Sequence, residues 1–169
     1  MSQGSPRSEP EPFRILFVCT GNTCRSPLAE VLARRELEAR GWRHVEVRSG
    51  GVRAAPGFPA SEGSSRVAAE HGLDLTAHSS TPVDQELLEW ADLVLAMSAG
   101  HLAVIQASGA GERATLLGAM AAGEEEAGAM GVEIPDPFGQ DDAVYRDTYR
   151  VLEGMIVRVL DRLEPIVAP

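Results

Sequence analysis

Two cysteines, an arginine and a serine fall within one short stretch, Cys19-Thr-Gly-Asn-Thr-Cys-Arg-Ser26. Cysteine attacks as the thiolate, and a free thiol with a pKa near ~8.5 is mostly protonated at neutral pH. This stretch supplies what would favour the charged form. The apolar run Ile15-Leu-Phe-Val18 before it reads as a buried parallel strand, and Pro27-Leu-Ala-Glu30 after it opens an amphipathic helix. A strand, a tight loop and a helix start make backbone N–H groups converge on an anion. The chemistry implied is a thiolate nucleophile beside a bound phosphate, cradled by Thr20, Gly21, Asn22, Thr23, Cys24, Arg25 and Ser26.

Each residue type has a reason to be there. Arg25 offers a planar fork that can hold two phosphoryl oxygens as a transition state spreads charge over them. Ser26 can donate its hydroxyl to the sulfur. It is also expected to cap the helix, with Pro27 at the first helical position. Gly21 is expected to let the backbone turn where a side chain would block the anion. A cysteine followed six residues later by an arginine is common by chance. The strand before, the glycine within and the Ser-Pro after make the pattern specific. Two cysteines at this spacing lack the second ligand pair of a structural zinc site, so no metal or other cofactor is expected. Cys24 admits two readings, a partner for Cys19 in a reversible protective disulfide or a buried thiol packed under the loop.

Displacing a leaving group from phosphorus requires a proton donor. Asp136, held between two prolines in Ile134-Pro-Asp-Pro-Phe-Gly139, is the best candidate, although Asp before Pro also serves simply as a turn. His44, His71 and His101 sit in no motif and read as surface or core residues.

The elements that must position these groups follow from periodicity. Leu28, Val31, Leu32 and Leu37 recur at helical spacing from Pro27 to about Arg40, where Gly41 suits a helix stop. His44 to Arg48 reads as a short second strand, turned by Ser49-Gly-Gly51. Helices are expected over Ala60 to His71, Val83 to Trp90 and Gly100 to Ala107. Strands are expected over Asp92 to Met97 and Ala114 to Leu117. Gly118 to Val132, with Glu124-Glu-Glu126, reads as a solvated helix or loop. A final helix runs from Asp142 to about Leu163. Alternating strands and helices predict a single α/β domain over residues 13–165, a central four-stranded parallel sheet with helices on both faces and the phosphate-binding loop after the first strand. Met1 to Pro12, polar and Pro-rich, is expected to be a disordered tail.

Composition narrows the partners. With 169 residues, 44% of them hydrophobic, the chain can build a core, and no run approaches a membrane span. A net charge of −10 argues against general nucleic-acid binding and leaves the loop amides and Arg25 to attract a phosphate locally. Both cysteines in one loop do not form a secreted-type disulfide framework, so a cytoplasmic location is expected. Oligomeric state is left open.

Val18-Cys-Thr-Gly-Asn-Thr-Cys-Arg-Ser-Pro27 together with Asp136-Pro-Phe-Gly139 resembles the low-molecular-weight protein tyrosine phosphatases, over about Arg14 to Leu163. Within that family the chain most resembles the bacterial protein arginine phosphatases. Thr23 stands where tyrosine-directed members typically carry an aliphatic residue, and Phe138 where they typically place tyrosine. The resemblance implies Cys19 as nucleophile, Arg25 as phosphoryl clamp and Asp136 as general acid. It implies Asn22, Ser26, Ser49 and His78 as loop support, Thr23 and Phe138 as specificity residues, and phosphorylated proteins as substrates. The expected reaction is hydrolysis of phosphoarginine through a cysteinyl-phosphate, with phosphotyrosine as the nearest rival. A thioredoxin-coupled arsenate reductase would need further cysteines after Cys24, and there are none. A non-catalytic phosphate-binding or redox module would keep the loop without needing Asp136.

Overall fold

The computed structural model describes residues 9–123 and 133–168. Its first strand, β1 (Phe13–Cys19), lies inside a parallel sheet. Its side chains alternate between two cores, because successive strand residues point to opposite faces. Ile15, Phe17 and Cys19 join the larger cluster, while Leu16 and Val18 join the smaller one. A strand apolar on both faces is what a sheet covered on both sides requires.

The remaining strands are β2 (Val45–Gly51), β3 (Leu93–Ala96) and β4 (Ala114–Leu116), in the order β2-β1-β3-β4, all pairs parallel. The chain leaves β1 toward β2 on one side and reaches β3 on the other. The order therefore reverses beside the carboxyl end of β1, where open α/β sheets form their binding crevice.

Helix α1 (Arg25–Arg40) buries Leu28, Leu32 and Leu37 against the larger core and ends at Gly41, whose φ of 69° is left-handed. On the same core lie α2 (Glu62–Glu70), α5 (Leu117–Ala122) and α6 (Asp142–Val167). Helices α3 (Gln85–Trp90) and α4 (Ala99–Ile105) supply Leu87, Leu88 and Ile105 to the smaller core. The four-stranded sheet covered on both faces is thus the expected architecture.

Several boundaries differ from the sequence-based expectation, for local reasons. Strand β2 continues through Ser49-Gly-Gly51, because Gly51 pairs with Cys19 at the end of the ladder. Helix α6 runs past Leu163 and includes Pro165, close enough to the helix end for one missing N–H to be tolerated. Helix α1 begins at Arg25, so Pro27 is its third residue. The acidic Glu124 to Glu126 and residues 1–8 of the expected tail lie outside the described residues; Glu9 to Pro12 is exposed and without regular structure.

Candidate active site

The loop between β1 and α1 wraps a cavity of about 210 Å³ lined by Cys19, Thr20, Gly21, Thr23, Cys24, Arg25, Asp136 and Phe138. Within residues 20–26, among the described residues, no backbone N–H donates to a protein acceptor. Free N–H groups at the start of a helix, around one cavity, are the geometry of an anion site.

Cys19 is buried, and its sulfur lies 2.9 Å from Ser26 Oγ. The direction of that contact follows from its neighbours. Thr81 N–H donates to Asn22 Oδ1 at 2.8 Å, which fixes the orientation of the Asn22 amide. Asn22 Nδ2 then donates to Ser26 Oγ at 2.8 Å and to Ser49 Oγ at 2.9 Å. Ser26 Oγ is an acceptor there, so its single proton is available to the sulfur at 2.9 Å, with Gly50 O a longer alternative at 3.5 Å. The sulfur is thus the acceptor of a hydroxyl donor.

Because Ser26 points inward, it does not cap α1. The residue at the N-cap position is Cys24, with no side-chain hydrogen bond to the helix. The expected cap is corrected for this reason: the helix already begins at Arg25, so Ser26 lies inside its first turn, and its oxygen accepts from Asn22 Nδ2 and not from a helix N–H. Gly21 lines the cavity, but the sharp turn of the loop lies one residue later. A Cβ on Gly21 would meet only Thr23 Oγ1 at 3.7 Å, and the left-handed residue of the loop is Asn22, with φ 56°. Asparagine tolerates that region better than most side chains. The glycine that permits close approach is Gly51, where a Cβ would meet Thr20 O at 2.5 Å and Asn22 N at 2.8 Å.

The expected support group is assembled. Asn22 is fully buried and binds Ser26 and Ser49, and His78 Nε2–H donates to Asn22 O at 2.6 Å. The loop carbonyls are held by Val52 N–H to Cys19 O, Arg53 N–H to Thr20 O and Ser61 N–H to Thr23 O, at 3.0, 2.9 and 2.8 Å. Only the acceptor side of the loop is therefore consumed by the fold.

Arg25 is 5% exposed, and its guanidinium is oriented by the chain around it. Nη1 donates to Ile134 O at 2.8 Å, Nη2 donates to Thr20 Oγ1 at 3.4 Å, and buried Nε has no protein partner among the described residues. Ile134 is itself buried, and its N–H donates to Met97 O at the end of β3. This ties the segment carrying Asp136 to the sheet. Asp136 Oδ1 accepts from Phe138 N–H at 3.1 Å, and Oδ2 lies 3.7 Å from Arg25 Nη2. The carboxylate is half-exposed, so this long ion pair contributes less than about 1 kcal/mol. Phe138, 67% exposed, stands at the rim.

Cys24 faces the other way from this machinery in its contacts. Its thiol donates to Ser61 Oγ at 3.2 Å and lies 3.5 Å from Tyr145 Oη, and both cysteines are free thiols. Burial pushes the Tyr145 phenol up to about 12. Sequence reasoning missed Ser61 and Tyr145, and it left His101 without a function. His101 is buried, with Nε2 2.8 Å from Thr20 Oγ1 and Nδ1 3.0 Å from Ser98 Oγ. Burial, with Arg25 nearby, lowers its pKa to about 4, so the ring is neutral at neutral pH. The Met97-Ser-Ala-Gly-His101 run at a strand's carboxyl end was the one sequence signal available for it.

Among the described residues, no group of three or more His, Cys, Asp or Glu side chains is arranged to hold a metal, and no helix is long and apolar enough to cross a membrane.

Known proteins share both the fold and the loop. The family described as low molecular weight phosphotyrosine protein phosphatase matches residues 14–166. A protein-arginine-phosphatase of Geobacillus stearothermophilus is 40% identical over 155 residues, covering 90% of this chain and 97% of that protein. The low molecular weight protein-tyrosine-phosphatase Etp of Escherichia coli K12 is 35% identical, covering 82% and 86%. A solved structure of the YwlE arginine phosphatase, a cysteine-to-serine mutant with a phosphorylated active site serine, superposes with a TM-score of 0.81 at 35% identity, covering 91% of this chain and 97% of its own. A match over nearly the whole chain, at this identity, places the protein in the low molecular weight phosphotyrosine protein phosphatase family.

Proposed function

We propose that this protein is a phosphatase that hydrolyses phosphoarginine in proteins through a cysteinyl-phosphate intermediate. The observation that carries the catalytic part is a buried thiol receiving a serine hydroxyl, in a loop whose N–H groups find no acceptor among the described residues. Cys19 Sγ attacks phosphorus, and the bond from phosphorus to the leaving nitrogen breaks. Protonated Asp136 gives its proton to that nitrogen, so arginine departs as its ordinary guanidinium cation. The free amides and Arg25 hold the equatorial oxygens, with Nε and the unshared guanidinium N–H groups available to them. In the second step Asp136, now a carboxylate, takes a proton from water as it attacks the cysteinyl-phosphate. Inorganic phosphate leaves and the thiolate returns.

Substrate choice is assigned to Thr23 and Phe138, which line the same cavity as Cys19 and Asp136. Thr23 is smaller and more polar than the aliphatic residue of tyrosine-directed relatives, which suits a planar, hydrogen-bonding guanidinium group more than an aryl ring. The names of the relatives at 40% and 37% identity support this reading. The domain is taken to span 13–165, with phosphorylated proteins as partners and the cytoplasm as its compartment. Turnover of a phosphoarginine peptide and a phosphotyrosine peptide at matched pH tests the proposal. Thr23→Ile should move the ratio toward phosphotyrosine; an unchanged ratio would remove Thr23 from the specificity argument. Cys19→Ser should abolish hydrolysis while retaining phosphate binding. A Cys19→Ser protein that still hydrolyses would sink the cysteinyl-phosphate.

A further inference from the structure

His101 lies 81 positions from Thr20 in sequence, yet the two side chains meet at 2.8 Å beside the cavity. Thr20 Oγ1 is also the acceptor for Arg25 Nη2. Ser98 Oγ stands on the far side of the imidazole and accepts the backbone N–H of His101 at 3.3 Å. Four groups from β3–α4 and the loop therefore form one line, Ser98, His101, Thr20 and Arg25.

Two sets of proton positions fit these contacts, because Thr20 Oγ1 has two lone pairs: it can accept from His101 Nε2–H as well as from Arg25, or accept from Arg25 alone and donate to a bare Nε2. Arginine is a donor only, so Thr20 Oγ1 accepts from it, and the single Thr20 proton must go elsewhere. In the second set that proton goes to His101 Nε2, 2.8 Å away. A neutral imidazole accepting at Nε2 carries its proton on Nδ1, where Ser98 Oγ receives it. The electrostatics select the second set, because this tautomer turns the ring's lone pair toward the Arg25 side and its N–H away. The buried ring sits next to a cation, which is why it stays neutral.

We infer that His101 is a positioning residue for the phosphatase reaction: as the Nδ1–H tautomer it takes the Thr20 proton, which commits the Thr20 oxygen to Arg25 Nη2 and so fixes the guanidinium. Arg25 is then held at two corners, Nη1 by Ile134 O and Nη2 by Thr20, with Nε left for a phosphoryl oxygen. Without His101 the Thr20 hydroxyl rotates, and its proton competes for the face that Arg25 uses. The neutral ring also avoids placing a second cation behind Arg25. The effect belongs to the transition state, where charge on the equatorial oxygens depends on donor geometry, more than to ground-state binding.

The inference rests on the phosphatase reading for its kinetic test but not for its spectroscopic one. In wild type, long-range ¹⁵N–¹H correlation of the imidazole at neutral pH should show His101 as the Nδ1–H tautomer. An Nε2–H tautomer overturns the proposal whatever the enzyme's substrate. In kinetics, His101→Phe should lower kcat on the order of tenfold with KM within about threefold. His101→Gln, which offers an amide near the former Nε2 position, should recover most of that loss. In a Thr20→Val background, His101→Phe should have little further effect. Additive losses in the double variant, or a change confined to KM, would show that His101 does not act through Thr20.

Discussion

Asn22 carries a load that can be separated into parts. It is the sole non-glycine with positive φ among the described residues, at 56°, and its side chain makes three hydrogen bonds of 2.8 to 2.9 Å. Asn22→Ala removes all three. At about 1 kcal/mol each, with the Thr81 N–H left unpaired, that is about 3 kcal/mol. Alanine in the left-handed region adds about 1 kcal/mol, for a total near 4 kcal/mol. Asn22→Gly loses the same hydrogen bonds but not the backbone term, and should be the more stable variant by up to about 1 kcal/mol, less the extra freedom of the unfolded chain. Urea unfolding of wild type and both variants measures these differences, provided the m-values stay constant. Activity should fall in both, because Ser26 loses the donor that commits its proton to Cys19. Loss of one charge-assisted hydrogen bond of about 2 kcal/mol corresponds to roughly 30-fold in kcat/KM. Destabilisation of less than about 1 kcal/mol by Asn22→Ala would refute the reasoning, as would a glycine variant clearly less stable than the alanine one.

Other outcomes follow from the same contacts. Gly51→Ala should cost about 2 kcal/mol of stability and a larger share of activity, since its Cβ would press on Thr20 O and Asn22 N at 2.5 and 2.8 Å; denaturant melts and kcat/KM check it. The folded-state pKa of His101, about 4, lies below the unfolded value of 6.5. Its contribution is therefore present above pH 6.5 and lost as pH falls through 4. That amounts to about 3 kcal/mol, and the stability gap between wild type and His101→Gln should narrow over this window. Tyr145 works in the opposite direction. Its folded pKa of about 12 exceeds the unfolded 10, so its contribution is whole below pH 10 and lost as pH rises through 12. Tyr145→Phe should show a shallower alkaline loss of stability.

What the sequence disclosed depended on whether the cause was local. The loop from Cys19 to Ser26, the buried strand before it and the helix after it are contiguous, so residue type and periodicity suffice. Asp136 stood out because two prolines deny it a helix. Most of the misplaced features involve a partner far along the chain, and one turns on where a side chain points within the loop itself. Ser26 reads as a helix cap until Asn22 is seen to bind it and Cys19 to lie 2.9 Å away. Gly51 reads as a turn residue until the loop packs on its α-carbon. His101 and Tyr145 reach the loop across 81 and 121 positions, and no periodicity marks such contacts.

The central claim is that this cavity is built to dephosphorylate arginine. The measurement that tests it most directly is the ratio of kcat/KM on matched phosphoarginine and phosphotyrosine peptides, for wild type and Thr23→Ile. The account predicts a wild-type ratio favouring phosphoarginine by at least about tenfold, moved toward phosphotyrosine by the substitution. A wild-type enzyme that prefers phosphotyrosine would contradict it.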